Sequence, residues 1–386
     1  MFREKDVLLA CQSLTDGSSL LVKGWRRIGK SSLLTETARL LNEENKNVIA
    51  IVVDVQDLVS MSEFLSKVIG ALPKDKSQQL YAAMGAAKQI PGKVMNAIQN
   101  RIRSIGGSGG GVEANVEFNK NVTDYWEPLK TSFEALAKQS QAKGERIILM
   151  IDELPFFLEN LYRQSKNVDN IRTVLATLRS WRTAGLSMAI AGSVSIEAFL
   201  EDLKIEGLVL NDLIRLDLRP LKRAEAETFT ETLAKVGNIE DWNDEATKTL
   251  LDQLPDHFPF FIQSAMNFLR VEDNSTTDTI NEVFENQIYP QIFASFFQQF
   301  DERLDRRFSK EKRKAAVDVL NEMSATHEGC LTVNEIEAIC EARSQDPLQI
   351  MRRLELAEFI RSDLKKKGYK LAQNLLKTWR TARGGV

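Results

Sequence analysis

The chain has 386 residues, 43% of them hydrophobic and 27% charged, with a formal net charge of −3. That composition excludes disordered, collagen-like and disulfide-scaffold chains. The charge balance excludes a protein that coats nucleic acid by bulk charge, though not one with a local basic face. Cys11, Cys330 and Cys340, with His257 and His327, are too scattered for a zinc site or another His/Cys metal centre. No run approaches the roughly 18 apolar residues of a membrane span. Residues 1–6 are too charged for a signal peptide, so a cytoplasmic protein with reduced thiols and no integral membrane segment is expected.

Apolar runs rich in β-branched residues at 19–23, 48–54, 146–151, 186–191 and 213–218 read as buried strands. They alternate with helical patterns such as 31–45, 126–139 and 168–184, which predicts a parallel sheet with helices on both faces. Between the first strand and its helix stands Gly24-Trp25-Arg26-Arg27-Ile28-Gly29-Lys30-Ser31, a fit to G-x-x-x-x-G-K-[ST] at every fixed position. In this strand–loop–helix setting the glycines let backbone N–H groups curl around phosphate oxygens, and the helix N-terminus adds its positive dipole end. Gly24, Arg27, Ile28, Gly29, Lys30, Ser31 and Ser32 are therefore the candidate nucleotide-binding residues. Lys30 is suited to the β- and γ-phosphates, and the Ser31 hydroxyl to Mg²⁺.

Residues 73–123 break the alternation. They hold a helical stretch at 78–105 interrupted by Pro91-Gly92, a glycine run at 106–111, and an apolar–polar alternation at 112–118. Two readings stand: a surface excursion hinged at its glycines, or an arm contacting a partner or a membrane surface. Lys88, Lys93, Arg101 and Arg103 beside Met95, Ile98 and Ile102 suit the second.

The third strand ends in Asp152-Glu153. Asp152 suits Mg²⁺ held from the Ser31 side, and Glu153 suits orienting and deprotonating a water that attacks the γ-phosphate. The plain alternative is an acidic pair opening a solvated loop. The fourth strand ends in Ala191-Gly192-Ser193. Either Ser193 senses the γ-phosphate or holds the lytic water, or Ser193 or Ser195 caps the helix at 196–203.

Past Pro220 helical periodicity takes over, and a charged segment at 301–314 precedes a final unit. The expected domains are 1–220, carrying the insertion 73–123, then a helical domain at 221–305 and a last domain at 306–386. That last part reads as helices at 312–323 and 333–340, a third opened by Asp346-Pro347, and a hairpin tipped by Lys365, Lys366 and Lys367. This is a winged-helix pattern. From Arg361 onward, Arg361, Lys365, Lys366, Lys367, Lys370, Lys377, Arg380 and Arg383 stand against a single acid, Asp363. With Arg352 and Arg353 they form either a DNA-contacting face or the solvated surface of a regulatory module.

Taken together, these residues resemble a P-loop ATPase of the STAND/AAA+ group, most like the archaeal-type ATPases found in archaea and bacteria. Arg3-Glu4-Lys5-Asp6 is similar to that family's R-E-x-E lead-in, and residues 24–31 to its double-arginine P-loop. Asp152-Glu153 and Ala191-Gly192-Ser193 match its strand ends. Residues 216–226 resemble its L-x-P-L-x-x-x-E-A passage into a helical lid. Residues 257–263 resemble its G-x-P-x-x-h-Q lid motif, with Phe258 where the family has glycine. The proline of that motif approaches the nucleotide, which makes Pro259 a further nucleotide-binding candidate. The resemblance covers residues 1–72 and 124–386. It implies an α/β P-loop NTPase domain, an all-helical lid and a C-terminal winged helix, with ATP and Mg²⁺ as cofactors. It also implies an arginine supplied by a neighbouring subunit, for which Arg179, Arg182 and Arg215 are candidates. Three functions follow. One is a slow ATPase acting as a switch, whose nucleotide state controls domain arrangement, homo-oligomerisation or engagement of a protein partner. The second is an ATP-regulated, origin-recognition-like or regulatory DNA binder. The third is a scaffold whose insertion docks a partner.

Overall fold

A computed structural model describes residues 3–86, 123–192, 195–205, 210–239, 241–272 and 274–383. The glycine run at 106–111, the alternating segment at 112–118 and Ser193 lie outside the described residues. The chain divides into two compact units, 3–218 and 219–386.

The first unit runs α1 (Glu4–Thr15), β1 (Ser19–Lys23), α2 (Lys30–Glu44), β2 (Val48–Asp54), α3 (Met61–Ala71), α4 (Lys74–Ala86) and α5 (Thr123–Ala142). It continues with β3 (Arg146–Asp152), α6 (Leu154–Ser165), α7 (Val168–Thr183), β4 (Ser187–Ala191), α8 (Ile196–Asp202) and β5 (Leu213–Asp217). The five strands form one parallel sheet in the order β2–β3–β4–β1–β5. This is the doubly covered parallel sheet expected from the strand pattern. Central strands must be apolar on both faces, and every residue of β4 and all but the first of β3 are buried. The edge strand β5 shows Ile214 and Arg215 to solvent. Register sets Asp54 beside Asp152 and Val22 beside Ala191, so the carboxyl ends of β1 to β4 gather on one edge. Ligands of open α/β sheets bind outside that edge.

One expectation needs correction. The start of the segment read as a surface excursion is the helix α4, which packs against α5. Leu80 is fully buried in the core, and the buried Lys76 ammonium is neutralised by Glu145. The polar run Lys74-Asp75-Lys76-Ser77-Gln78-Gln79 conceals this in the sequence, because its burial rests on an ion pair rather than on apolar periodicity.

The second unit opens with α9 (Arg223–Gly237), α10 (Asp244–Gln253), α11 (Pro259–Leu269) and α12 (Thr277–Val283). A helical run follows through α13 (Tyr289–Ile292) to α14 (Gln298–Arg307), with π turns at Phe284–Ile288 and Phe293–Phe297. Pro290 sits between the two π turns; a proline removes one helical N–H and crowds the carbonyl four residues back, and a widened turn relieves both. Then come α15 (Lys310–Ala325), β6 (Cys330–Thr332), α16 (Val333–Ala342), α17 (Pro347–Leu356), β7 (Ile360–Asp363), β8 (Gly368–Leu371) and α18 (Asn374–Ala382). The strands form an antiparallel sheet in the order β6–β8–β7. At three residues, β6 is too short to leave a periodic signal and was absent from the sequence expectation.

A ladder of aromatic rings runs through this unit. Ring centroids lie 5.2 Å apart for Phe258–Phe296, 6.1 Å for Phe296–Phe300 and 5.2 Å for Phe300–Trp379, all edge-on. Each such pair adds about 0.5–1.5 kcal/mol beyond area burial. The ladder ties the loop before α11 to the last helix, across the point where the sequence suggested a boundary.

Candidate nucleotide-binding site

Residues 24–29 leave β1 and turn into α2. Gly24 has φ +147 and Gly29 φ +99, values that suit glycine alone. A side chain at Gly24 would also meet the Leu218 carbonyl at 2.9 Å. Between them Arg27 adopts φ 66, a left-handed conformation that costs a non-glycine residue of order 1 kcal/mol. The loop holds this shape because it is anchored below: Trp25 and Ile28 are buried, and Ile28 N–H donates to the Trp25 carbonyl at 3.3 Å. With the Ile28 side chain in the core, its backbone is the part that lines the loop. Burial of Lys30, Leu33, Leu34, Thr37, Ala38 and Leu41 fixes α2 on the sheet at helical spacing.

Lys30 is only 5% exposed. Its ammonium donates to the carbonyls of Gly24 at 2.7 Å and Trp25 at 3.0 Å, which centres the charge over the loop. Ser31 and Ser32 begin α2 on the exposed side. Ser31, on the first turn of α2, acts on the Asp152 carboxylate at the end of β3 and lowers its pKa.

Asp152 is 5% exposed. Burial raises its pKa above the usual carboxylate value, the nearby Glu153 and Asp54 push it further up, and Ser31 and Lys30 pull it down. A buried carboxylate crowded by two others favours a cation. The donor set is oxygen only, one carboxylate and one hydroxyl, which suits Mg²⁺; that ion takes few protein ligands and completes its shell with phosphates and water. Among the described residues no group of three or more His, Cys, Asp or Glu side chains could hold a metal. Asp54 was not singled out from the sequence; only the β2–β3 register brings it beside Asp152.

Glu153 has φ 57 and ψ 34 and stands at the N-cap of α6, yet its side chain makes no capping hydrogen bond. The turn is over-determined. Glu153 N–H donates to Asp152 Oδ1 at 3.0 Å, and Phe156 N–H donates to the Glu153 carbonyl at 3.1 Å. Pro155 packs so closely on Gly192, at the end of β4, that any side chain there would collide with its ring. Strain held in place by such contacts is a mark of functional positions. Beyond β4, Ser195 caps α8 by accepting from Ala198 N–H at 3.2 Å, so the capping alternative holds for Ser195.

Other candidates are elsewhere. Pro259 is the first residue of α11 in the second unit, and Phe258 before it is fully buried. Phe258 has φ −71, so this backbone does not require the glycine usual in the resembling family. Of the arginine candidates, Arg182 makes a fork to Asp212 at 2.7 and 2.8 Å, and Arg215 pairs with Glu197 at 2.7 Å. Arg179 is exposed. Many cations of the carboxyl-terminal basic stretch are engaged within their own unit. Lys366 pairs with Glu328. Lys370 pairs with Asp363 at 3.0 Å, and Arg383 with Asp301 at 2.6 Å. Among the described residues no helix is long and apolar enough to cross a membrane.

The fold is similar to that of a Walker-type ATPase of Pyrococcus abyssi, with TM-score 0.56 and 17% sequence identity over 98% of this chain and 95% of that one. It is also similar to the ORC2 protein of Aeropyrum pernix in its ADPNP–ADP complexes, with TM-score 0.48 and 12% identity over 99% and 94% of the two chains. A further similarity is to AMPPCP-bound DnaA of Aquifex aeolicus, with TM-score 0.40 and 11% identity over 91% and 85%. No family profile and no curated protein matches the sequence. The likeness to the first of these structures, at 17% identity, establishes the fold alone, an α/β P-loop fold with a helical carboxyl-terminal region.

Proposed function

We propose that this chain binds Mg·ATP at residues 24–32, hydrolyses it slowly, and uses its nucleotide state to control domain arrangement or oligomerisation and the engagement of a partner. The observation that carries the reading is the buried Asp152 carboxylate, whose pKa Ser31 and Lys30 both lower, beside a Glu153 held in a strained turn. In this reading the backbone of Gly24, Arg27, Ile28 and Gly29, with Ser32, cradles the phosphates, and Lys30 offsets their charge. Ser31 and Asp152 would hold Mg²⁺, which when bound would neutralise charge developing on the phosphates. Glu153 takes the proton of the attacking water. Ser193 and Pro259 are assigned to the nucleotide by the family resemblance. The same reading places the protein in the cytoplasm and gives residues 306–386 the role of a winged-helix regulatory module.

A second reading, ATP-regulated DNA binding through that module, is favoured by the exposed hairpin tip, where Leu364 is 89% exposed beside Lys365 and Lys367. The internal pairing of Lys366, Lys370 and Arg383 weighs toward regulation.

Release of phosphate from ATP by the unaltered chain and by Glu153→Gln tests the leading reading. The variant is expected to keep ATP affinity and to lose roughly a hundredfold or more in turnover, the scale of a lost general base. Equal turnover by the two proteins would make Glu153 a loop acid.

A further inference from the structure

Arg3 precedes α1, and its guanidinium is turned inward, with a side chain 12% exposed. Nη2 donates to the carbonyl of Ile28 at 3.0 Å, and Nη1 donates to the Asp6 carboxylate at 3.3 Å. Its Nε lies 3.8 Å from the point where a β-carbon on Gly29 would stand. The guanidinium therefore lies along the Ile28–Gly29 peptide, 25 residues away in sequence.

A trans peptide is planar, and its C=O and N–H point in opposite directions. Holding the Ile28 carbonyl on Arg3 therefore aims the Gly29 N–H away from Arg3. Gly29 is the N-cap of α2 and has φ +99, a conformation with the freedom to flip unless something fixes it. A first-turn N–H has no partner within its helix and is the group that a helix terminus offers an anion. Asp6 holds the other arm of the fork, so the guanidinium is oriented from two sides.

We propose that Arg3 is a positioning residue for the phosphate loop: by holding the Ile28 carbonyl it sets the Gly29 N–H toward the phosphates of a bound nucleotide. The proposal rests on the nucleotide-binding reading above and adds a residue outside the loop to that site. Arg3 does not touch the ligand; it acts through one peptide plane.

The test is calorimetric titration of Mg·ADP and Mg·ATP into the full chain and its Arg3→Met, Arg3→Lys and Asp6→Asn variants. It is read beside thermal melting without nucleotide and the Gly29 amide resonance of [¹⁵N]glycine-labelled protein. Arg3→Met, which keeps the stem and loses the donors, is expected to raise both dissociation constants about tenfold and to shift the Gly29 amide before nucleotide is added. Arg3→Lys should recover most of the affinity, since an ammonium can donate to the same carbonyl, and Asp6→Asn should change affinity less than threefold. Unchanged affinity in Arg3→Met, with the unaltered chain binding normally, would overturn the role of Arg3 and leave the site reading standing. Equal losses in Arg3→Met and Arg3→Lys, tracking a lowered melting temperature, would make Arg3 a fold anchor and overturn it too. Absence of binding by the unaltered chain would overturn both.

Discussion

Ser31, on the first turn of α2, lowers the pKa of the Asp152 carboxylate at the end of β3, a side chain only 5% exposed. The two residues stand 121 positions apart in sequence. The fold brings a hydroxyl and a buried carboxylate to one edge of the sheet.

Removing the Asp152 charge should separate stability from ligand binding. Burial raises this carboxyl, so its favourable contribution is present below the unfolded value near 4 and is lost as pH rises through the folded one. Raising the pH therefore takes stability from the nucleotide-free protein. Asp152→Asn keeps an oxygen to accept from Glu153 N–H and removes the charge. Its melting temperature at pH 7.5 should rise by about 2 °C, while the stabilisation conferred by Mg·ATP should disappear. A lower melting temperature at pH 7.5 would show that the ionised form is favoured where it stands.

Asp256 makes a second pH prediction, in the other unit. Its carboxylate caps α18, accepting from Leu375 N–H at 2.6 Å and from the Asn374 side chain at 3.3 Å. Burial nevertheless pushes its pKa up to about 7, against the pull of those bonds and of Arg361. A raised carboxyl contributes stability that is complete below about 4 and lost as pH rises through about 7. Thermal stability attributable to this group should therefore fall between pH 5 and pH 8, and Asp256→Asn should flatten the profile. Parallel profiles for the two proteins over that range would contradict the assignment.

The hairpin tip distinguishes the two roles of the carboxyl-terminal module. Neutralising Lys365, Lys366 and Lys367 removes at most three phosphate contacts, which would flatten the slope of log affinity against log salt by up to about 2.7 if the module binds duplex DNA. The expected outcome is little change in DNA behaviour, with ATP turnover or assembly altered, because Lys366 already pairs with Glu328. Loss of tight DNA binding with turnover unchanged would favour the DNA reading.

Much of the fold was legible because central parallel strands must be apolar on both faces. The run from Arg146 to Asp152 could hardly be anything else, and Gly24 and Gly29 announce a loop that needs positive φ. What stayed hidden depends on long-range pairing. The helix Lys74–Ala86 looked like part of an excursion because Lys76 is buried through Glu145, 69 residues on. Asp54 became a neighbour of Asp152 only through strand order, and the hold of Arg3 on Ile28 has no periodic signature at all. Phe258 packs its ring on Phe261 and Phe296, an arrangement that no local pattern encodes.

The most direct test of the central claim is calorimetric titration of Mg·ATP into the unaltered chain and into Lys30→Ala. The alanine removes a buried cation and leaves the Gly24 and Trp25 carbonyls without their donor. Loss of a buried, hydrogen-bonded charge facing an anion costs about 2–5 kcal/mol, so affinity should fall at least about thirtyfold. The account predicts one site per chain in the unaltered protein and no measurable binding in the variant. Near-equal affinity in the two proteins, or no binding in either, would contradict it.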